Sequence, residues 1–193
     1  MFDELQQLFG YHGVIDDRSG TRELAPDVLV MPFWTPEFCA TVVRAAEAIG
    51  AFEPQEDDPV PGHEVSLAVI SPRLFEAVQD DLGLRILPQL REVWPYIDYF
   101  GLRDAFVIRY AMGEQEHLRV HHDVAQISAS VKLNDGYHGA ELAFPRQDIT
   151  NAEVPIGELL VWPSLVTHPH QTNQLRSGVK YALTVWFELP TFA

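Results

Sequence analysis

Cysteine is almost missing from this chain: Cys39 is the only one in 193 residues. That excludes an internal disulfide framework and fits a reducing compartment. Basic residues are also scarce, with 13 Lys and Arg against 28 Asp and Glu and a formal charge of −15. Nucleic acid and anionic membrane surfaces both require a basic face, so neither is expected as a partner. The acidic excess permits a cationic substrate, although such an excess more often only keeps a surface solvated. No apolar run approaches the length of a membrane span, and no basic-then-apolar leader opens the sequence. The expectation is a cytoplasmic protein. Internal repeats and low-complexity tracts are absent as well.

What is present suffices for one sizeable core. Apolar residues make up 47% and aromatics 11% of the chain, enough for a folded globule of this length. Residues 1–25 read as a local extension and residues 26–193 as the domain proper, one globular unit overall. Thr35-Pro36 is a helix start, Thr35 as N-cap and Pro36 in the first turn, and Gly50 is its stop. Phe38, Val42, Val43, Ala46 and Ile49 recur at helical spacing within it. Ser71-Pro72 repeats the start signal, with Gly83 as the expected terminator and a third helix from about Leu84 to Trp94. Between the first two helices, Glu53–Glu64 is acidic and carries three prolines, so it is a loop.

After Gly101 the pattern changes to period two. Ala105–Tyr110, Gln126–Leu133, Glu158–Trp162 and Val179–Glu188 read as strands. In the second, Ile127, Ala129, Val131 and Leu133 share one face while Ser128, Ser130 and Lys132 share the other. Asn134-Asp135-Gly136 is a turn. Many short strands with turns between them predict a sandwich or barrel, and the helices that precede it should cover one sheet.

Six of the eight histidines fall between His117 and His170. In the segment R-V-H-H-D-V-A-Q, residues 119–126, His121 and Asp123 stand two apart and would project to the same side of a strand, with His122 opposite. They are either polar tips at a strand end or ligands. Two imidazoles and one carboxylate, the second imidazole arriving from a distant strand, would form the facial triad of a non-haem Fe(II) oxygenase. Downstream, T-H-P-H (Thr167–His170) supplies two histidines. Lys180 then appears among apolar neighbours, where it needs an anionic partner unless it lies on a solvent face.

The run R-Y-A-M-G-E-Q-E-H-L-R-V-H-H-D, Arg109–Asp123, resembles the catalytic domain of the procollagen lysyl hydroxylases. That family reads R-Y-x-x-x-E-Q-x-x-L-R-P-H-H-D there. The resemblance continues through Leu133-Asn134, Y-H-G-A-E-L-A-F (Tyr137–Phe144), Gly157, T-H-P-H and G-V-K-Y (Gly178–Tyr181), and upstream through Pro26–Cys39. It spans about residues 26–190. It implies an α+β protein with a double-stranded β-helix core, the jelly roll of cupin-like proteins, and N-terminal helices packed on one sheet. It also implies a dioxygenase that uses Fe(II), 2-oxoglutarate and O₂, with ascorbate as a candidate reductant.

Carried over residue by residue, the resemblance gives the metal to His121, Asp123 and His170, with His168 as the alternative to His170. The spacing from His170 to Lys180 matches the family's cation, which is Arg there and Lys in the related collagen prolyl 4-hydroxylases. Lys180 would hold the far carboxylate of 2-oxoglutarate. Tyr110 would assist it, or serve only as a core aromatic. Ser130 stands where the family has Asn near the cosubstrate. The reaction implied is hydroxylation of an unactivated C–H bond coupled to release of succinate and CO₂. The expected substrate is a small molecule or peptide: an amino acid, or a residue in a small peptide or natural product. The acidic loop residues Glu56, Asp57 and Asp58 are candidate contacts for a cationic side chain such as lysine or arginine, and His168 is a further candidate substrate contact. Two other classes remain open at this point. One is a cupin-like iron protein or oxygen sensor without turnover; the other is a structural β-sandwich that binds no metal. The sequence does not fix the oligomeric state.

Overall fold

The computed structural model describes residues 11–54 and 60–189. Both proline-opened helices form where their caps place them. Helix α1 (Pro36–Ile49) begins with Thr35 Oγ1 accepting from the Phe38 N–H at 3.3 Å, and Gly50 closes it in the left-handed region with φ 68°. Its buried stripe is Phe38, Cys39, Val42, Ala45 and Ala46, while Val43 and Ile49 are only half-buried. After a single turn, α2 (Leu67–Ile70), helix α3 (Pro72–Asp81) starts with Ser71 Oγ accepting from the Leu74 N–H at 3.2 Å.

Gly83 does not end α3. The chain continues through a π turn, Leu82–Ile86, directly into α4 (Leu87–Val93), so the expected second and third helices are one interrupted rod. The wide turn has a local cause. The Leu87 N–H reaches back five residues to Leu82 O, so the hydrogen-bond ladder is already displaced where Pro88 offers no donor. Gly83 serves packing instead: a Cβ there would lie 2.7 Å from the Tyr99 ring.

Among the described residues thirteen strands form, those of the period-two pattern and shorter ones besides. They are β1 (Arg22–Ala25), β2 (Val28–Pro32), β3 (Glu64–Ser66), β4 (Leu102–Ala111), β5 (Leu118–His121), β6 (Ile127–Lys132), β7 (His138–Gly139), β8 (Leu142–Phe144), β9 (Ile149–Thr150), β10 (Glu158–Pro163), β11 (His170–Thr172), β12 (Leu175–Ser177) and β13 (Val179–Phe187). The major sheet runs β1-β2-β10-β6-β13-β4-β3, and the minor sheet runs β5-β11-β8-β9. All pairings are antiparallel, with β12 and β7 forming a separate ribbon. This is the jelly-roll arrangement, with helices backing the major sheet.

Alternation divides the major sheet. Leu29 and Met31, Val107, Ala129 and Val131, Leu159 and Val161, and Leu183 and Val185 pack with α1 to α4 in the main apolar cluster. Each such buried aliphatic side chain contributes roughly 1.5–3 kcal/mol of transfer free energy. The opposite face meets the minor sheet. There two smaller apolar clusters, one around Phe144 and Trp162 and one around Phe106 and Ala182, stand on either side of a polar strip. Gly157 locks the start of the sheet to α1. The Phe33 and Trp34 N–H groups both donate to its carbonyl, at 3.2 and 2.8 Å. Its φ is 83°, and a Cβ there would sit 1.9 Å from Trp34 O, so no larger residue fits.

Candidate metal and cosubstrate site

The last residue of β5 and the first of β11 face each other in register, His121 against His170. That pairing brings the two imidazoles to a centroid distance of 4.4 Å. Asp123 follows just beyond the end of β5 and turns back toward both rings. Its Oδ1 lies 3.5 Å from His121 Nε2 and its Oδ2 lies 3.5 Å from His170 Nε2. One ligand-type atom from each of the three falls within 4.8 Å of the others. Asp123 and His170 are only 4% and 5% exposed.

The rings are oriented from behind. His121 Nδ1 lies 2.9 Å from Arg119 O, and His170 Nδ1 lies 3.1 Å from His168 O. A carbonyl can only accept, so each Nδ1 carries the proton and each Nε2 presents its lone pair to the cluster. Asp123 is held by the major sheet: Ser128 Oγ donates to its Oδ2 at 2.5 Å and also lies 2.7 Å from Ser164 Oγ. Burial pushes the Asp123 carboxyl up, but the bond with His121, the neighbouring His170 and the Ser128 hydroxyl together hold it below the ordinary carboxylate range. Burial keeps His170 below the usual histidine value; His121 is also penalised by burial, but its contact with Asp123 raises it. Two nitrogen lone pairs and one ionised carboxylate converging from one side fit a divalent transition ion such as Fe(II).

A cavity of about 460 Å³ opens above this cluster, and Lys180 lies in its wall. Lys180 is 3% exposed. Its Nζ donates to Ala140 O at 2.7 Å and lies 5.0 Å from the centre of the Tyr110 ring. No carboxylate among the described residues comes within ion-pair distance of it. Burial drives its pKa down from 10.5 to about 7. A buried ammonium with two spare N–H groups calls for an anion, and a dicarboxylate reaching from the metal position would supply one. Tyr110 pairs with Lys180 across β4 and β13. Its hydroxyl accepts from Thr172 Oγ1 at 2.9 Å, which leaves its own proton to donate. Ser130, half-buried, lines the same cavity and faces Thr184 across β6 and β13.

The remaining sequence candidates lie elsewhere. His168 is buried away from the cluster, with Nε2 3.2 Å from Pro26 O and Nδ1 3.0 Å from Thr167 Oγ1. His122 is exposed at the cavity mouth. Glu56, Asp57 and Asp58 fall outside the described residues. Ser128, Ser164 and Thr172 hold the site residues in place, and Glu64 and Arg103 line the cavity, without standing among the sequence candidates. Of these, only Ser128 had a signal, as it belongs to the polar face of β6.

Residues 105–188 match the family model described as the 2OG-Fe(II) oxygenase superfamily. The chain is 22% identical over 186 residues to a multifunctional procollagen lysine hydroxylase and glycosyltransferase of Caenorhabditis elegans. It is 26% identical over 184 residues to the multifunctional procollagen lysine hydroxylase and glycosyltransferase LH3 of Rattus norvegicus. Each match covers 90% of this chain, which spans about a quarter of the relatives, 26% and 25% of their lengths. Among solved structures, a Pseudomonas putida prolyl-4-hydroxylase superposes with a TM-score of 0.62 at 20% identity, covering 97% of this chain and 100% of that one. A viral collagen prolyl hydroxylase from Paramecium Bursaria Chlorella virus-1, in a 2OG complex, gives 0.60 at 15% identity, covering 85% and 97%.

Proposed function

We propose that this chain, a member of the 2OG-Fe(II) oxygenase superfamily and a dioxygenase, hydroxylates an unactivated C–H bond of an amino acid or of a residue in a small peptide or natural product. The observation that carries the reading is one continuous cavity: His121, Asp123 and His170 converge at its floor, and the buried Lys180 stands in its wall. Bound Fe(II), with 2-oxoglutarate and O₂, supplies the oxidising chemistry and leaves succinate and CO₂ as by-products. The protein's own share is positional. His121, Asp123 and His170 would hold the metal. Lys180 and the Tyr110 hydroxyl fix the far carboxylate of the cosubstrate. Phe106, Ile108, Leu142 and Trp162 line the cavity with apolar surface and limit water around the reacting centre.

A cationic side chain such as lysine or arginine is the favoured target. Glu64 and Asp104 both line the cavity, and the named relatives are lysine hydroxylases. The single buried thiol, Cys39, suits a cytoplasmic setting, which the reading adopts. No helix among the described residues is long and apolar enough to cross a membrane.

The test has two stages. Anaerobic addition of Fe(II) and then 2-oxoglutarate should produce the weak visible charge-transfer band of a chelated 2-oxo acid. A succinate-release screen over free amino acids and short peptides should then show stimulation by one of them. An absent band overturns the oxygenase reading of the site; a band without substrate-stimulated release in the whole screen overturns the substrate class.

A further inference from the structure

We propose that Arg103 seats the α-carboxylate of the substrate, and that the substrate is therefore a free amino acid rather than a residue within a chain; this rests on the hydroxylase reading above. The position of Arg103 is set by a defect in the sheet. β13 pairs Trp186 with Asp104 and Phe187 with Leu102, so Arg103 is the extra residue of a bulge. A bulge breaks alternation and re-aims a side chain. In a regular strand Arg103 and Asp104 would face opposite ways; here both line the cavity.

The guanidinium is exposed where it lines the cavity and is held there without an ion pair, although its charge acts on the neighbouring Asp104. Its Nη1 donates to Val124 O at 2.6 Å, one residue past Asp123, and its Cζ lies 6.0 Å from the centre of the Trp186 ring. No carboxylate among the described residues forms an ion pair with it, in a chain where 28 acidic residues outnumber 13 basic ones. A guanidinium braced by a backbone carbonyl and an aromatic plane keeps its other N–H groups in a fixed fork, the geometry that matches a carboxylate. Anchorage to Val124 O, one residue past Asp123, keeps that fork in the cavity that His121, Asp123 and His170 also line. Glu64 and Asp104 in the same cavity carry the opposite sign, which suits the ammonium groups of the same molecule. A residue inside a peptide presents a neutral amide where the free amino acid presents a carboxylate, and gains nothing from the fork.

The experiment uses the anaerobic Fe(II)–2-oxoglutarate enzyme and reads both substrate-induced change in the visible band and, in air, succinate release. The probes are the twenty common L-amino acids and L-ornithine, the α-carboxamide of the best of them, and that residue in a short capped peptide. The carboxamide should bind roughly 10- to 100-fold more weakly than the free acid, as expected for a lost charge-assisted pair. Arg103→Gln should weaken the free acid to the same level and leave the carboxamide unaffected, and Arg103→Lys should restore part of the loss. The inference is overturned if the carboxamide or peptide binds as well as the free acid. It is equally overturned if no free amino acid binds while the peptide does, or if Arg103→Gln weakens acid and amide alike, which would reduce Arg103 to a brace for the Val124 loop. Absence of the band before any substrate is added would instead sink the hydroxylase reading, and this inference with it.

Discussion

The two faces of the major sheet are made by the same strands and follow different rules. Toward the helices, Val107, Val131, Val161 and Leu183 are completely inaccessible. Toward the minor sheet, the neighbouring positions are Tyr110, Ser128, Ser130, Lys180 and Thr184. Alternation lets one strand serve both purposes, because successive side chains face opposite ways except at a bulge such as the one at Arg103. Stability is therefore concentrated on one face and chemistry on the other, and each should change with little effect on its counterpart.

Asp123→Ala gives the largest expected effect. It removes the only carboxylate of the cluster, so Fe(II)-dependent succinate release should fall below detection, while the melting temperature of the metal-free protein should hold. Collapse of the metal-free fold would show that the two faces are not separable. Leu183→Ala tests the reverse. A fully buried leucine cut to alanine costs about 2–5 kcal/mol, which should show in denaturant unfolding, with 2-oxoglutarate affinity retained.

Lys180→Met comes next. It should weaken 2-oxoglutarate binding roughly 10- to 100-fold without lowering the stability of the ligand-free protein, since a buried ammonium without a counter-charge is itself costly. Its pH signature has a definite sign. Lys180 is depressed to about 7 from 10.5, so between those values the unfolded chain binds the extra proton. Stability of the ligand-free wild type should therefore rise with pH across that window, and Lys180→Met should flatten the rise. Below about pH 7 both states are protonated and the slope from this group vanishes. Cosubstrate affinity runs the other way, strongest where the ammonium persists; a wild-type affinity constant from pH 6 to 9 would contradict the assignment. The smallest effect is expected for Ser128→Ala, which leaves Asp123 without its hydroxyl donor: Fe(II) affinity should drop about 10-fold, read by competition with a chelator, and activity should return at higher iron.

How legible the molecule was in its sequence depended on how local each signal is. The caps at Thr35 and Ser71 and the alternation of β6 act over a few residues, and the structure follows them closely. The π turn at Leu82–Ile86 has no mark in the sequence beyond Gly83 and Pro88, and Gly83 reads equally as a helix stop or as space for the Tyr99 ring. Strands β1, β3, β7, β8, β9, β11 and β12 escape a period-two reading because each has four residues or fewer and gains its meaning only from a partner, and β2 is a continuous apolar run without alternation. At the site, H-x-D and the lone Lys180 could be singled out as candidates, since unusual residue types in an apolar context stand out. Their companions could not. Ser164, Thr172 and Glu64 are ordinary residues placed by long-range pairing, and Arg103 depends on a bulge that has no mark in composition.

The three converging ligands also have different owners. His121 and His170 belong to the minor sheet, whereas Asp123 is restrained by Ser128 on β6, whose hydroxyl is in turn bonded to Ser164 just beyond β10. An ion gripped by all three would rivet one layer of the sandwich to the other. Occupancy and layer separation are then thermodynamically reciprocal: whatever pries the small sheet loose must also loosen the ion, and whatever tightens the ion must make the prying more costly.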